Sequence, residues 1–441
     1  METEMETEMG LNAGFVSTRF AGTDGVSLEA SKWSRVIEDQ GHHCYWFAGK
    51  LDKDEDISFP ERTADFNDQQ NCAINDQLFG KEAKTVQVAK AIHHVTSGLA
   101  ASLKAFIQLY DIHFLVVQNA LALPMNVPLG LALTDVIAET RIPVIAHHHD
   151  FYWERDRYLP LNGNKIYIHK AFPPRLPGVR HVVINSDAKK ELARRRGIDA
   201  TVIPNVLDFG NPPPLDPERA KAFRRSIGLK PNDVMVLQPT RIVERKGIGF
   251  AIQLVKALGP EKHKLVITHE AGDEGFAYAG KIDGYARKNG INIRYADKLI
   301  EEPFNRLAGK ERPFSLWDAY QAADLVTYPS LVEGFGNALV EAIYLKKPLL
   351  VNRYKVFVDD IEPLGFDLIK MDGRLTWEVV ENIKAVLKNK TLREKMVNRN
   401  FQIAATHYSF SNLDGYLSEL IASLPVNSRA TEYRARRRYS G

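Results

Sequence analysis

Ser330-Leu331-Val332-Glu333-Gly334-Phe335-Gly336-Asn337-Ala338-Leu339-Val340-Glu341 follows an apolar run, Leu325 to Tyr328, with the length and content of a buried strand. A strand that empties through a glycine-bearing turn into a helix makes an anion site. Gly334 and Gly336 let the backbone approach a ligand closely, and the free N–H groups at the helix start, from Asn337 through Ala338 and Leu339, carry partial positive charge. Glu333 precedes the turn and Glu341 lies in the first turns of the helix, eight positions on. Both can accept hydrogen bonds from hydroxyl groups of a ligand whose phosphates occupy the helix end. A sugar nucleotide has that shape, with hydroxyls at both ends and a diphosphate between.

About 90 residues upstream, Val234-Met235-Val236-Leu237-Gln238 reads as a second buried strand, and it empties into Pro239-Thr240-Arg241-Ile242-Val243-Glu244-Arg245-Lys246-Gly247 ahead of an apolar helix. Arg241 and Lys246 therefore sit on a loop at the carboxyl end of a strand, where open α/β sheets bind ligands. Two fixed cations there suit a diphosphate leaving group. Taken singly, each element has a plain structural reading, helix-flanking acids or a solvated charged loop; together they favour a ligand.

These residues resemble the retaining, GT-B fold glycosyltransferases of family 4, the glycogen synthase and sucrose-phosphate synthase-like group. In that family an arginine and a lysine about five residues apart follow the first strand of the donor lobe, and an E-x7-E element contains E-G-F-G. Arg241, Lys246, Glu333, Gly334, Phe335, Gly336 and Glu341 fill every one of those places, and the resemblance runs from Gly14 to about Leu424. It implies an α/β protein of two doubly wound parallel-sheet, Rossmann-like lobes facing across a cleft. It also implies an NDP-sugar-dependent hexosyltransferase with retention of configuration and a donor of the GDP-mannose or UDP-glucose type. Arg241 and Lys246 would bind the diphosphate, Glu333 the sugar hydroxyls and Glu341 the ribose. No cofactor is required beyond the donor as co-substrate, and a metal would at most stimulate.

Composition agrees. A chain of 441 residues exceeds what one core usually supports, so two domains are expected. Hydrophobic residues make up 44% and charged residues 26%, as in an ordinary globular protein, and the net charge of +3 gives no sign of a nucleic-acid partner. No apolar run approaches the roughly 18 residues that span a membrane. With only Cys44 and Cys72, neither a disulfide framework nor a cysteine zinc site is expected, and the reducing cytoplasm is the default compartment. Homo-oligomerisation is left open.

Alternating strand and helix patterns place strands at Ala13 to Ser17, Cys44 to Phe47, Phe114 to Val117, Val144 to Ala146, Val182 to Ile184 and Thr201 to Ile203. Helices are expected from Val26 to about Gln40 and from the end of the second strand to about Tyr110. The second half places strands at Val234, Lys264 to Thr268, Ile293 to Tyr295, Leu325 and Leu349 to Val351. The expected domains are a disordered leader, 1–12; an acceptor lobe, 13–210, joined by a returning helix at about 408–424; a nucleotide-sugar lobe, 211–407, opened by the proline cluster Asn211 to Pro217; and a basic tail, 425–441, with no ordered structure.

The first lobe carries the acceptor-side candidates. Its opening turn, Thr18-Arg19-Phe20-Ala21-Gly22-Thr23-Asp24-Gly25-Val26, matches the family's glycine loop in position, although the usual adjacent glycine pair is spread out. Gly25 is a backbone ligand candidate and Asp24 an acceptor-side one. Ala146-His147-His148-His149-Asp150 leads into Phe151-Tyr152-Trp153-Glu154-Arg155-Asp156-Arg157-Tyr158. Three consecutive histidines on an extended segment alternate sides and cannot converge on one metal ion. The resemblance places a histidine before an aspartate near the transferred sugar, which selects His149, with His148 as the competing assignment. Tyr152 and Trp153 offer stacking surface, and Arg155 and Arg157 offer donors for an anionic acceptor such as glycerate, a glycosylglycerate or a sugar phosphate. The expected product is a small glycoside, for example a compatible solute. Two other readings stay open: a peripheral membrane glycosyltransferase acting on a lipid or polysaccharide, and a sugar-nucleotide epimerase or idle binding protein on the same fold.

Overall fold

The computed structural model describes residues 10–22, 24–80, 85–159, 164–271, 276–300 and 313–426. It divides into two compact units. The first comprises the described residues up to Pro204 together with those from Leu413 onward, and the second runs from Asn205 to Asn412.

Among the described residues the first unit holds a seven-stranded parallel sheet, in spatial order Ser58–Pro60, His43–Ala48, Asn12–Val16, Phe114–Gln118, Val144–His148, Val179–Val183 and Thr201–Val202. Asn12–Val16 is central, and the chain builds outward to one side before crossing to Phe114–Gln118 and building outward on the other. That reversal is the topological switch point, outside whose carboxyl ends such sheets bind ligands. Phe114–Gln118 and Val144–His148 are buried at every position, as parallel strands covered by helices on both faces must be. Gly25–Asp39, Thr85–Leu109 and Val127–Thr140 are among the covering helices. Trp33 lies fully buried beneath the sheet's carboxyl edge.

The second unit repeats the plan in a six-stranded parallel sheet ordered Arg294–Tyr295, His263–Ile267, Val234–Gln238, Leu325–Tyr328, Leu349–Asn352 and Ile369–Met371. Its switch point lies between Val234–Gln238 and Leu325–Tyr328, which pair Val236 with Leu325 and Leu237 with Val326. The two loops singled out in the sequence therefore leave neighbouring strands at the same edge.

Several expectations are corrected. Ser58–Pro60 is a strand where only helices were expected, and the helices of that region run Gln69–Phe79 and Thr85–Leu109. Ile369–Met371 is a further edge strand. Leu11, within the expected leader, is held in place: it donates from its N–H to His42 Nδ1 at 3.2 Å and accepts from the His43 N–H at 2.8 Å. The division falls at Pro204, ahead of the proline cluster. That cluster is bound into the second unit because the Tyr344 hydroxyl donates to the carbonyls of Asp208 and Asn211, at 2.9 and 3.2 Å, and Gln321 bonds to Pro214 and Asp216. In the first unit Gln40 donates to Asp414 Oδ1 at 2.8 Å on the last helix, Phe410–Ala422. Most of the expected leader and basic tail lies outside the described residues, although Val426 is buried. Among the described residues no helix is long and apolar enough to cross a membrane.

Candidate functional site

In the second unit the strand Val234–Gln238 ends at a buried glutamine whose side-chain N–H donates to Thr240 Oγ1 at 2.8 Å. The chain then makes one turn, Glu244–Lys246, and reverses at Gly247 with φ 64°. A Cβ on Gly247 would stand 2.2 Å from the Pro329 carbonyl oxygen, so only glycine lets this loop lie against the loop that follows Leu325–Tyr328. The Leu331 N–H donates to the Arg245 carbonyl at 2.7 Å and fixes the two loops together.

That contact brings Lys246 and Glu333 together. Lys246 Nζ lies 2.5 Å from Glu333 Oε1, with 12% and 8% of the two side chains exposed, and Arg245 Nη1 lies 3.2 Å from Glu333 Oε2. Burial alone would push the Glu333 carboxyl up, but the charges and hydrogen bonds around it, Lys246 first, hold it below the ordinary glutamate range. Burial draws Lys246 down and Glu333 opposes it. Arg241 is exposed, and its guanidinium has no hydrogen-bond or ion-pair partner among the described residues. His269, beyond the end of His263–Ile267, is drawn down to about 4 by burial and then by Lys246 and Arg241, so it stays neutral near pH 7.

The helix Asn337–Tyr344 begins at Gly336, φ 123°, with no side-chain cap. A missing cap costs about 1 kcal/mol. Six buried side chains, Ala338, Leu339, Val340, Ala342, Ile343 and Tyr344, hold the helix in place instead, and each large apolar one contributes about 1.5–3 kcal/mol. The helix end can therefore stay open. Of the residues expected here, Phe335 has its ring in the core, edge-on to Tyr408 at 5.3 Å, so only its backbone is available. Leu339 is buried and its N–H is already given to the Gly336 carbonyl at 2.9 Å, which removes it from the expected amide set. Asn337 Oδ1 accepts from Asn205 at 2.7 Å. Glu341 Oε2 accepts from the buried Tyr320 hydroxyl at 2.7 Å. Burial and the Glu341 charge push Tyr320 well above its ordinary range, so it remains a donor.

In the first unit His147 and His148 lie within the strand Val144–His148 and are buried, while His149, just beyond its end, is partly exposed. His147 stacks on Trp33 at 4.2 Å, and His148 shares a hydrogen bond with His181 at 2.9 Å. Burial draws both rings well below the ordinary histidine range. His149 Nε2 donates to Gln118 Oε1 at 3.0 Å, and its backbone N–H donates to Asn119 Oδ1 at 3.1 Å. Burial draws His149 down, opposed by Glu29, Asp150 and Asp24. Among the described residues no group of three or more His, Cys, Asp or Glu side chains is placed to hold a metal ion.

Four acceptor-side expectations change. Asp24, expected on the acceptor side, caps the helix Gly25–Asp39, accepting from the Val26 and Ser27 N–H groups at 3.1 and 3.2 Å. Gly25 is exposed at the first turn of that helix. Tyr152 is 8% exposed and belongs to the core, not to a sugar platform. Trp153 stacks on Phe151 at 4.4 Å, with the Arg195 guanidinium 5.3 Å from its centroid. Arg155 is engaged with Asp150, Nη2 to Oδ2 at 2.5 Å and Nε to Oδ2 at 3.0 Å. Arg157 is exposed and lies over the Tyr158 ring at 4.6 Å.

Since Asp150 Oδ1 in turn accepts from Asn119 at 2.9 Å, Arg155 acts on the His149 backbone through two intermediaries. With His149 beside the transferred sugar, as the resemblance implies, Arg155→Ala is expected to lower kcat about tenfold by misplacing it while leaving the acceptor KM nearly unchanged. With Arg157 as the acceptor-side cation that the resemblance allows, Arg157→Ala is expected to raise that KM with kcat intact. Steady-state kinetics on the two single variants check the split. Sequence reasoning also missed Glu29, which is 1% exposed and paired with Lys32 at 2.8 Å. The available signal was its place one helical turn before Trp33, on the inward stripe.

A family model for glycosyl transferases group 1 matches residues 220–402, the span that holds Arg241, Lys246, Glu333 and Glu341. Mannosylglucosylglycerate synthase of Thermotoga maritima is 32% identical over 430 residues, covering 90% of this chain and 96% of that protein. The protein of the same name from Petrotoga mobilis is 30% identical over 410 residues, covering 87% and 92%. Among solved structures, a glycosyltransferase from Rickettsia africae aligns with a TM-score of 0.66 at 14% identity, over 94% of this chain and 98% of that one. Sucrose-phosphate synthase from Thermosynechococcus elongatus aligns at 0.63 and 13%, over 94% and 98%. The structural likeness carries the fold and the sequence likeness carries the kinship: this chain belongs to the group 1 glycosyl transferases, on the GT-B fold.

Proposed function

We propose that the chain transfers a hexosyl group from a nucleoside-diphosphate sugar, of the GDP-mannose or UDP-glucose type, to a hydroxyl of a glycerate-type acceptor, with retention of configuration. One observation carries the donor side. The Arg241 guanidinium, without a partner among the described residues, Lys246 and an uncapped helix end lie at one switch point, with the Glu333 carboxylate held beside them. Fixed positive charge at the carboxyl edge of a sheet is what a departing diphosphate needs, because it stabilises charge that develops as the glycosidic bond breaks. The sugar carbon passes through an oxocarbenium-like state, the acceptor oxygen bonds to it on the face the diphosphate leaves, and the acceptor's proton passes to the departing phosphate. Arg241 and Lys246 supply the charge that a metal ion supplies elsewhere, so no metal is required. The acceptor class rests on the names of the two long-range relatives, both synthases of a glycerate glycoside. Exposed Arg157 is the cation we assign to the acceptor's carboxylate.

The test is release of nucleoside diphosphate from a panel of GDP-, UDP- and ADP-sugars with EDTA present, each with and without glycerate, glucosylglycerate and sugar phosphates. Release from one donor that depends on a glycerate-type acceptor is the expected result, with the product's anomeric configuration read by NMR. Release only in the presence of added divalent metal would remove the metal-free mechanism. Release that depends on lipid vesicles instead of the small acceptors would move the reading to a membrane acceptor.

A further inference from the structure

Arg245 lies between the two cations assigned to the diphosphate, yet its own contacts point elsewhere. Its carbonyl accepts from the Leu331 N–H at 2.7 Å, its Nη1 donates to the Val332 carbonyl at 3.3 Å, and the same Nη1 lies 3.2 Å from Glu333 Oε2. Three successive residues of one loop are thus tied to a single residue of the other. The loop needs it. Ser330 is buried and held through its carbonyl by Asn352, but Leu331 is 44% exposed and Val332 is 65% exposed, so the two residues directly before Glu333 have no packing to fix them. Lys246 fixes only Glu333 Oε1. A lysine is a point charge and leaves the carboxylate free to swing about that contact, whereas a second donor on Oε2 sets the plane of the carboxylate.

We propose that Arg245 is a positioning residue that sets the Glu333 carboxylate for the donor's sugar hydroxyls, and thereby determines how strongly the site prefers a nucleotide sugar to the bare nucleoside diphosphate. This rests on the donor reading given above. Arg245 Nη1 is directed at Val332 and Glu333, and on this proposal the residue contributes through Glu333 and not through the diphosphate. Selectivity for the sugar is then separable from affinity for the nucleotide. A carboxylate held at both oxygens presents its remaining lone pairs in fixed directions, and loss of one correctly directed hydrogen bond weakens binding about tenfold.

The experiment measures dissociation constants by calorimetry for GDP and GDP-mannose, and for UDP and UDP-glucose, on the full chain, on Arg245→Ala and on Arg245→Lys, with melting temperatures alongside. In the wild type one nucleotide sugar is expected to bind more tightly than its diphosphate. Arg245→Ala is expected to erase that preference by about tenfold while the diphosphate's constant stays within about twofold. Arg245→Lys, which can pair with Glu333 without also holding the Val332 carbonyl, is expected to recover part of the preference. An equal loss of diphosphate and nucleotide sugar in Arg245→Ala, at an unchanged melting temperature, would overturn the proposal and make Arg245 a third diphosphate ligand. If Arg245→Ala is too unstable to assay, Arg245→Lys decides: wild-type preference in it overturns the proposal. A wild type that binds nucleotide sugar and diphosphate alike leaves no sugar contact to position and overturns the donor reading as well.

Discussion

Lys246→Ala is expected to lower kcat by about 10²–10³-fold and to lower the melting temperature at the same time. The two losses have different causes. Lys246 stands 2.5 Å from Glu333, and both side chains are nearly closed to solvent. Removing one partner of a buried pair costs up to about 3–5 kcal/mol, a loss that Arg245, 3.2 Å from Glu333 Oε2, reduces here. The catalytic loss comes from the missing cation at the leaving group. A double variant, Lys246→Ala with Glu333→Gln, separates them when read by affinity for the bare nucleoside diphosphate, which Glu333 is not assigned to bind: the buried charge is gone, so the melting temperature should recover, while diphosphate affinity should not. Full recovery of diphosphate affinity in the double variant would mean that Lys246 serves only to neutralise Glu333.

The same pair predicts a pH signature. In the wild type Glu333 is held below its ordinary range, so its contribution to stability is present above that range and is lost as pH falls through the depressed value. In Lys246→Ala the strongest of the groups that oppose burial is gone, so the Glu333 carboxyl should move up from its wild-type position although Arg245 remains beside it. The variant then gains less stability than the wild type as pH rises. The gap in melting temperature between the two proteins should therefore widen from about pH 4 to about pH 7. A constant gap would place the loss in packing of the lysine stem and not in the charge.

Legibility in the sequence followed burial. Val234–Gln238 and Leu325–Tyr328 run over the same residues in the structure as in the sequence reading, because a central parallel strand buried on both faces writes an uninterrupted apolar run between turn signals. Ser58–Pro60 and Ile369–Met371 are short and lie at the outer edges of their sheets; three residues containing a proline or a lysine carry no such run. The two loops that meet at Lys246 and Glu333 were marked in the sequence by charged residues and glycines directly after apolar strands. Arg245 was not, since a charged residue among charged residues carries no mark of what it touches across the fold. Tyr152 misled for a related reason. It stands in a string of charged residues, yet its N–H donates to the Ala122 carbonyl at 3.1 Å, and that tie draws its ring into the core. Asp24 reads equally as a ligand residue or a helix cap, and only the distances to Val26 and Ser27 decide it.

Gly336→Ala is the substitution expected to damage the donor site most without touching a charge. Gly336 has φ 123°, a conformation open in practice to glycine alone. An added Cβ would also stand 2.3 Å from Tyr354 Oη. That hydroxyl donates to the Phe335 carbonyl at 2.7 Å in the buried interior, so it cannot retreat without stranding both groups. Strain and the broken bond together should cost about 2–4 kcal/mol, and the helix end at Asn337 should move with the backbone. Nucleoside diphosphate affinity is expected to fall with the melting temperature. Tyr354→Phe in the same chain tests which half of the argument dominates, since it removes the obstructing oxygen and leaves the backbone angle as forbidden as before. Gly336→Ala with Tyr354→Phe should regain part of the melting temperature but not the affinity, because the amides at the helix start are aimed by the glycine's backbone and not by the tyrosine. Affinity restored along with stability would show that the clash alone displaced the helix end, and that the left-handed geometry at Gly336 is not what points it at the diphosphate.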